Sequence, residues 1–153
     1  MKIRSLTIVF LFFAAATLSF GQIKKPAKWA FKASKENPKV GDIITIFFTA
    51  TIEEGWYLYS SKLAVEGPMP TSVYFTANGS FQAIGELQAI NPKEKQDEVW
   101  GGKIQYFVKT GVFTQKVKIL KDHPVIDGKL SYQTCTIKDG SCIPNKDKFT
   151  LSL

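Results

Sequence analysis

Two cysteines, one histidine and a pair of adjacent carboxylates carry most of the chemistry open to this chain. Cys135 and Cys142 lie in SYQTCTIKDGSCIPN, Ser131 to Asn145, with Thr136 to Ser141 between them, in a stretch that reads as a hairpin. A hairpin can bring its two sides to the Cα separation of about 4.4–6.8 Å that a disulfide requires. Closing so small a loop removes only about 2.5 kcal/mol of unfolded-chain entropy. A stabilising bridge does more by joining distant strands, as the inter-sheet disulfide of antibody domains does. A local bridge on a turn also leaves one sulfur open to in-line attack by a thiolate. The residues alone therefore leave two readings open, a structural staple and a redox-active pair.

Other chemistries fit less well. His123 stands alone in the turn KDHP, and two cysteines with one histidine fall short of the four ligands of a structural zinc site, so no metal is expected. No serine has a nucleophile-elbow setting, and His123 would have to act as base from a turn. Asp97 and Glu98 are neighbours, which in a strand directs them to opposite faces and argues against a glycosidase pair. The net charge of +7 invites a nucleic-acid reading. The lysines, however, are scattered among acids, as in KASKENPK and NPKEKQDE, and Arg4 is the one arginine. Bidentate phosphate or base contacts favour arginine, so a solvated lysine coat is expected and no nucleic acid.

The N-terminus bears on compartment. Lys2 and Arg4 precede an apolar run from Leu6 to Leu18, and the small residues Ser19 and Gly21 flank Phe20. This pattern is that of a secretory signal peptide, residues 1–21, cut before Gln22. The run is short for a bilayer span, and no later one could cross, so no membrane insertion is expected after cleavage. An exported chain also sits where cysteine pairs persist oxidised. Residues 22–28, punctuated by lysine and proline, read as a flexible arm, and residues 29–153 as one domain.

The elements that must position the cysteines are strands. In GDIITIFFTATI, Ile44, Ile46, Phe48, Ala50 and Ile52 fall on one face, and Thr45, Phe47, Thr49 and Thr51 on the other. The same period of two runs through Ile104, Tyr106 and Val108, through Phe113, Val117 and Ile119, and through Phe149, Leu151 and Leu153. A first strand is expected around Trp29 to Ala33. Turn signals at NPKVGD, EEG, EGPMP, ANGS, NPK and DHPVIDG separate the runs. Many short alternating strands between such turns predict an all-β, immunoglobulin-like antiparallel sandwich. No long uncharged apolar strand edge is apparent, which makes a monomer the default. Three stretches stand outside the plain pattern: GWYLYSSKL, Gly55 to Leu63; EKQDEVWGG, Glu94 to Gly102, which interrupts the sheet; and the cysteine segment.

Taken in order, GWYLY, DEVWGG and YQTC, with a second cysteine and a proline two positions beyond it, resemble the N-terminal periplasmic domain of the DsbD-type thiol:disulfide interchange protein. The resemblance runs from about Ala30 to Leu153. It implies a redox-active pair that relays reducing equivalents between a thioredoxin-like electron donor and periplasmic thiol or disulfide proteins, an oxidoreductase activity of protein-disulfide reductase type without cofactor. Cys142 would be the exposed sulfur that forms the mixed disulfide and Cys135 the more buried resolving thiol. Asp97, Glu98, Val99, Trp100 and Gly101 match a cap loop over the pair, and Tyr57 and Tyr59 match aromatics that line the site. Three departures go with it. Val99 stands where phenylalanine is usual, the cysteine interval is one residue longer than the commonest form, and the chain as written carries no further electron-supplying domain, so a separate donor is expected. Trp56, Tyr57, Tyr59, Trp100 and the Cys142 hairpin would form the docking surface. The alternative is a non-enzymatic binding or adaptor sandwich whose disulfide is structural and whose aromatics hold a protein or sugar.

Overall fold

The computed structural model describes residues 24–153. The expected signal segment, 1–21, lies outside the described residues. Ten strands follow one another without a helix among the described residues. They are β1 Ala27–Ala33, β2 Ile43–Ile52, β3 Trp56–Tyr59, β4 Ser72–Phe75, β5 Phe81–Ile90, β6 Lys93–Asp97, β7 Gly102–Phe107, β8 Thr110–Ile119, β9 Val125–Thr136 and β10 Cys142–Ser152. One sheet has the order β1-β2-β8-β5; the other runs β10-β9-β3-β7-β6, with β4 also paired to β9. Every pairing is antiparallel. The result is the immunoglobulin-like sandwich that the alternating runs predict.

The inner face of each strand supplies the core, because alternate side chains of a strand point to one side. Ile46, Phe48 and Ala50 of β2 and Phe113, Val117 and Ile119 of β8 are fully buried against Leu58, Ile126, Leu130 and Tyr132 of the second sheet. Phe149 ties the layers together, with ring centroids 5.2 Å from both Phe31 and Phe48. One polar side chain breaks the β8 pattern: Gln115 lies inside with 3% of its surface exposed. Its amide donates to the carbonyls of Ile84 (2.8 Å) and Gly85 (3.1 Å), where β5 bulges and its register with β8 shifts. The bulge takes these carbonyls out of the ladder, so a side chain must serve them. Gln115→Leu is expected to cost about 1–3 kcal/mol, read as a lower urea midpoint, since the carbonyls are left without their donor.

Three boundaries differ from the sequence reading. The first strand begins at Ala27, and Ala27 and Lys28 therefore pair with Ile52 and Thr51 instead of forming an arm. Ahead of it, the Pro26 carbonyl accepts from Glu53 N–H and Lys25 bridges to Asp147 at 2.6 Å, which ties this lead-in to the sandwich. Glu94 to Asp97 do not interrupt the sheet; they belong to β6, whose charged side chains suit an edge strand. Only residues 98–101 form the turn to β7.

Candidate active site

Strand β3 is the pivot, because its four residues are buried on both faces. Trp56 and Leu58 point into the sandwich core. Tyr57 and Tyr59 point the other way, into a second, smaller cluster with Ile104 and Cys135 on the outer face of the six-stranded sheet. An outer face is ordinarily wet, so something must cover it. Two segments do so: the β6–β7 turn with Trp100, and the 60–71 segment with Leu63 and Val65. They clasp each other closely. A Cβ placed on Gly67 would lie 2.2 Å from Trp100 Cζ3, and one on Gly102 would lie 2.4 Å from Val65 Cγ1.

The cysteines sit on this covered face. In register, Cys135 of β9 stands opposite Cys142 of β10 on one side and opposite Tyr57 of β3 on the other. The two cysteines are disulfide-bonded, with their Cα atoms 4.0 Å apart. The next pair outward carries the ladder bond, Thr136 N–H to the Ser141 carbonyl at 2.9 Å. The cysteines are therefore a non-hydrogen-bonded pair, the position where strands approach most closely, and this places them nearer than the separations expected from sequence. Cys135 has no exposed surface, whereas Cys142 is half-buried and its Sγ lies 3.2 Å from the Gly140 carbonyl oxygen.

The connecting hairpin holds itself. Thr136 hydroxyl and Ser141 N–H (2.9 Å) both donate to Asp139 Oδ1, Gly140 adopts φ +72°, and Ile137 N–H reaches the Gly55 carbonyl at 2.8 Å. Those bonds, the Thr136 hydroxyl first, hold the Asp139 carboxyl below its ordinary value of 3.8. A depressed folded-state value stabilises the hairpin fully above pH 3.8, and the contribution is lost as pH falls through the lower folded value. The Ser141 amide resonance is expected to move with that titration and to stay flat in Asp139→Asn; a flat profile in the unmodified chain contradicts this.

The cap-loop residues are brought to the same place. Asp97 is buried, with 6% exposed, and its Oδ1 accepts from the N–H groups of Val99 (3.0 Å) and Trp100 (3.2 Å). Its Oδ2 pairs with Lys95 at 3.3 Å. Glu98, the first residue of the turn, is exposed. Trp100 donates its indole N–H to the Tyr59 hydroxyl at 2.9 Å. The Tyr59 hydroxyl lies 3.5 Å from that of Tyr57. Burial first, and the Tyr59 hydroxyl second, push the Tyr57 phenol far above its ordinary range, so it stays neutral.

A cleft of about 280 Å³ runs between the cap turn and the cysteine hairpin, lined by Tyr57, Lys95, Asp97, Val99, Ile137 and Gly140 among others. Val99 is 79% exposed on one rim and Ile137 63% exposed on the other. The expected docking surface is corrected accordingly. Trp56, Tyr57 and Tyr59 are 9%, 6% and 0% exposed, so none of them can be the contact surface: Trp56 lies in the sandwich core, and the two tyrosines build the floor. Nor do they present the aromatic platform that a sugar- or protein-binding sandwich would use. The exposed apolar side chains at the rims of the cleft are Val99 and Ile137. Sequence reasoning missed Ile137, Lys95, Asp139 and Gly67. A lone isoleucine in a polar hairpin was a signal for the first, while nothing in the sequence marks Gly67 as the partner of Trp100.

A family model described as "Thiol:disulfide interchange protein DsbD, N-terminal" matches residues 23–153. The chain belongs to the DsbD N-terminal domain family. Thiol–disulfide exchange is the activity of that family. The fold agrees with solved structures. The reduced N-terminal domain of DsbD from Neisseria meningitidis superposes with a TM-score of 0.56 at 18% identity, over 84% of this chain and 86% of that one. The N-terminal periplasmic domain of ScsB from Proteus mirabilis gives 0.62 at 20% identity, over 85% of this chain and 47% of that one. The chain thus spans about half the length of the ScsB chain. No curated protein matches it. Cys135 and Cys142 form the disulfide, and Val99, expected at the capping position, has its side chain in the open.

Proposed function

We propose that this domain relays reducing equivalents in the periplasm, accepting them from a thioredoxin-like donor and passing them to periplasmic thiol or disulfide proteins through Cys135 and Cys142. The observation that carries the reading is the asymmetry of the pair. Cys135 is fully buried, and Cys142 is half-buried beside a cleft with apolar rims, in a chain of the DsbD N-terminal family. Attack on a disulfide needs in-line access to one sulfur only, and the asymmetry supports Cys142 as the sulfur that is attacked.

On loading, a donor thiolate bonds to Cys142 Sγ, the Cys135–Cys142 bond breaks, and its electron pair leaves with Cys135. The donor's second thiolate then attacks its own bridged sulfur and releases Cys142, so the donor is oxidised and the domain reduced. On delivery the direction reverses. Cys142 thiolate attacks a substrate disulfide, and Cys135 thiolate resolves the mixed disulfide by attacking Cys142. Asp97, Glu98, Val99, Trp100 and Gly101 act as the gate, Tyr57 and Tyr59 as its floor. Val99 and Ile137 give a transient partner a small apolar contact, with the cap turn displaced on docking.

The test mixes the oxidised domain with a reduced thioredoxin-like protein and follows both by thiol alkylation and gel shift. Loss of the Cys135–Cys142 bridge with matching oxidation of the donor supports the relay. A bridge left intact under excess donor overturns it.

A further inference from the structure

Thiol–disulfide exchange places a negative charge on the less accessible sulfur in both directions. Cys135 is the leaving thiolate when the domain is reduced and the attacking thiolate when it resolves a mixed disulfide. That sulfur has no exposed surface, and burial in apolar surroundings disfavours a thiolate. Something nearby must offset that cost if exchange is to be fast.

The groups that face it are few. Tyr57 stands directly opposite on β3, and its hydroxyl is turned to Tyr59, which also accepts from Trp100. Beyond Tyr57, β7 contributes Tyr106 and β6 contributes Lys95 and Asp97; the hairpin contributes Asp139, whose carboxylate is engaged with Thr136 and Ser141. Lys93 shares the outer face one pair further along and is exposed. Of the described residues that line the cleft, Lys95 is the one cation. Its Nζ lies 4.3 Å from the centroid of the Tyr57 ring, 5.5 Å from that of Tyr106, and 3.3 Å from Asp97 Oδ2. Three contacts fix the ammonium over the ring of Tyr57, which shares the buried outer-face cluster with Cys135 and is its register partner.

We propose that Lys95 is a positioning residue for exchange: clamped on Tyr57 and Tyr106 by Asp97, its ammonium stabilises the Cys135 thiolate as it leaves and as it resolves. The proposal rests on the exchange reading above and assigns a role to a residue outside the cap turn and the cysteine hairpin. Asp97 acquires a second task in consequence. It caps the turn amides with one oxygen and aims Lys95 with the other. Solvent and the paired Asp97 carboxylate both screen the half-exposed lysine, so its influence on rate is held to about threefold to tenfold, no more than that of one partly screened charge.

The test compares the unmodified chain with Lys95→Met and Lys95→Arg, first confirming equal thermal midpoints. The rate of disulfide reduction by dithiothreitol is measured, and the thiols of the reduced forms are titrated by thiolate absorbance against the oxidised protein. Reduction about three- to tenfold slower in Lys95→Met, with its higher thiol titration, that of buried Cys135, moved upward by about half to one unit and both recovered in Lys95→Arg, supports the proposal. Equal rates and titrations in all three, with the unmodified chain reducible, overturn the role of Lys95 and leave the exchange reading standing. Equal loss in Lys95→Met and Lys95→Arg overturns it too, since a charge effect survives that exchange. An unmodified chain that dithiothreitol fails to reduce overturns the exchange reading, and this proposal with it.

Discussion

In a Cys135→Ser variant, Cys142 is expected to react with an aromatic disulfide reagent on the order of 100-fold faster than Cys135 does in a Cys142→Ser variant. The difference follows from access. Cys142 opens β10 beside the cleft and is half-buried, whereas Cys135 is wedged between Tyr57 and Cys142 with none of its surface exposed. The same asymmetry predicts that Cys135→Ser accumulates a mixed disulfide with a thioredoxin-like partner, because the resolving thiol is gone. Cys142→Ser should accumulate none. Stopped-flow release of the aromatic thiolate measures the first effect, and a non-reducing gel the second. Comparable rates in the two variants would mean that the hairpin opens widely enough to expose both sulfurs, and the assignment of Cys142 as the attacked sulfur would fail.

The second large effect concerns the clasp that covers the outer face. Gly67 has φ +116°, and a Cβ there would stand 2.2 Å and 2.4 Å from two ring carbons of Trp100. Gly67→Ala is therefore expected to cost about 2–3 kcal/mol, combining an unfavourable backbone region with overpacking against a held ring. Trp100→Ala removes the donor to Tyr59 and the packing on Gly67, at a similar cost of about 2–3 kcal/mol. Combined, the two substitutions should cost less than their sum by about 1 kcal/mol, because without the indole the alanine methyl has room. Urea titrations of the four proteins give the cycle. Strict additivity would show that Trp100 does not rest on Gly67 in solution. Both single variants should also reduce faster with small thiols, since Trp100 is the cap residue most firmly bound to the floor.

Much of the sandwich is written in period-two patterns. Ile44 to Ile52 and Phe113 to Ile119 announce both their strands and their buried faces, because a strand with one wet side must alternate. The pattern fails where burial is not one-sided. WYLY reads as an aromatic excess with no obvious face, and the reason is structural: β3 has a core on each side. Glu94 to Asp97 look too charged for a strand, yet β6 lies at a sheet edge where charge is tolerated and protective. Gln115 hides among apolar neighbours because a bulge in another strand needs its amide. Within the site, Cys135, Cys142, Asp97, Trp100, Tyr57 and Tyr59 are legible as motifs. Lys95, Gly67 and Ile137 are not, since each acquires its role from a residue distant in sequence, met only when β6, the 60–71 segment and the cysteine hairpin converge on one face.

That convergence makes sense of a chain whose exposed apolar residues near the disulfide are Val99 and Ile137. The tyrosines and Trp100 build a floor and a fastened turn, and two aliphatic rims remain exposed, where the proposed relay places its partner. Asp139 keeps the hairpin shut from within, and Asp97 keeps the turn shut from below.

The claim on which the rest depends is that the Cys135–Cys142 bridge is exchangeable and not a staple. Its redox equilibrium in the folded domain tests this most directly, with thiol–disulfide buffers of graded ratio and thiol alkylation to trap each mixture. The account predicts a midpoint between about −270 and −180 mV, the span from thioredoxin to protein disulfide isomerase, as a relay between thioredoxin-like proteins requires. A pair that remains oxidised below about −300 mV, where structural disulfides of secreted proteins lie, contradicts it.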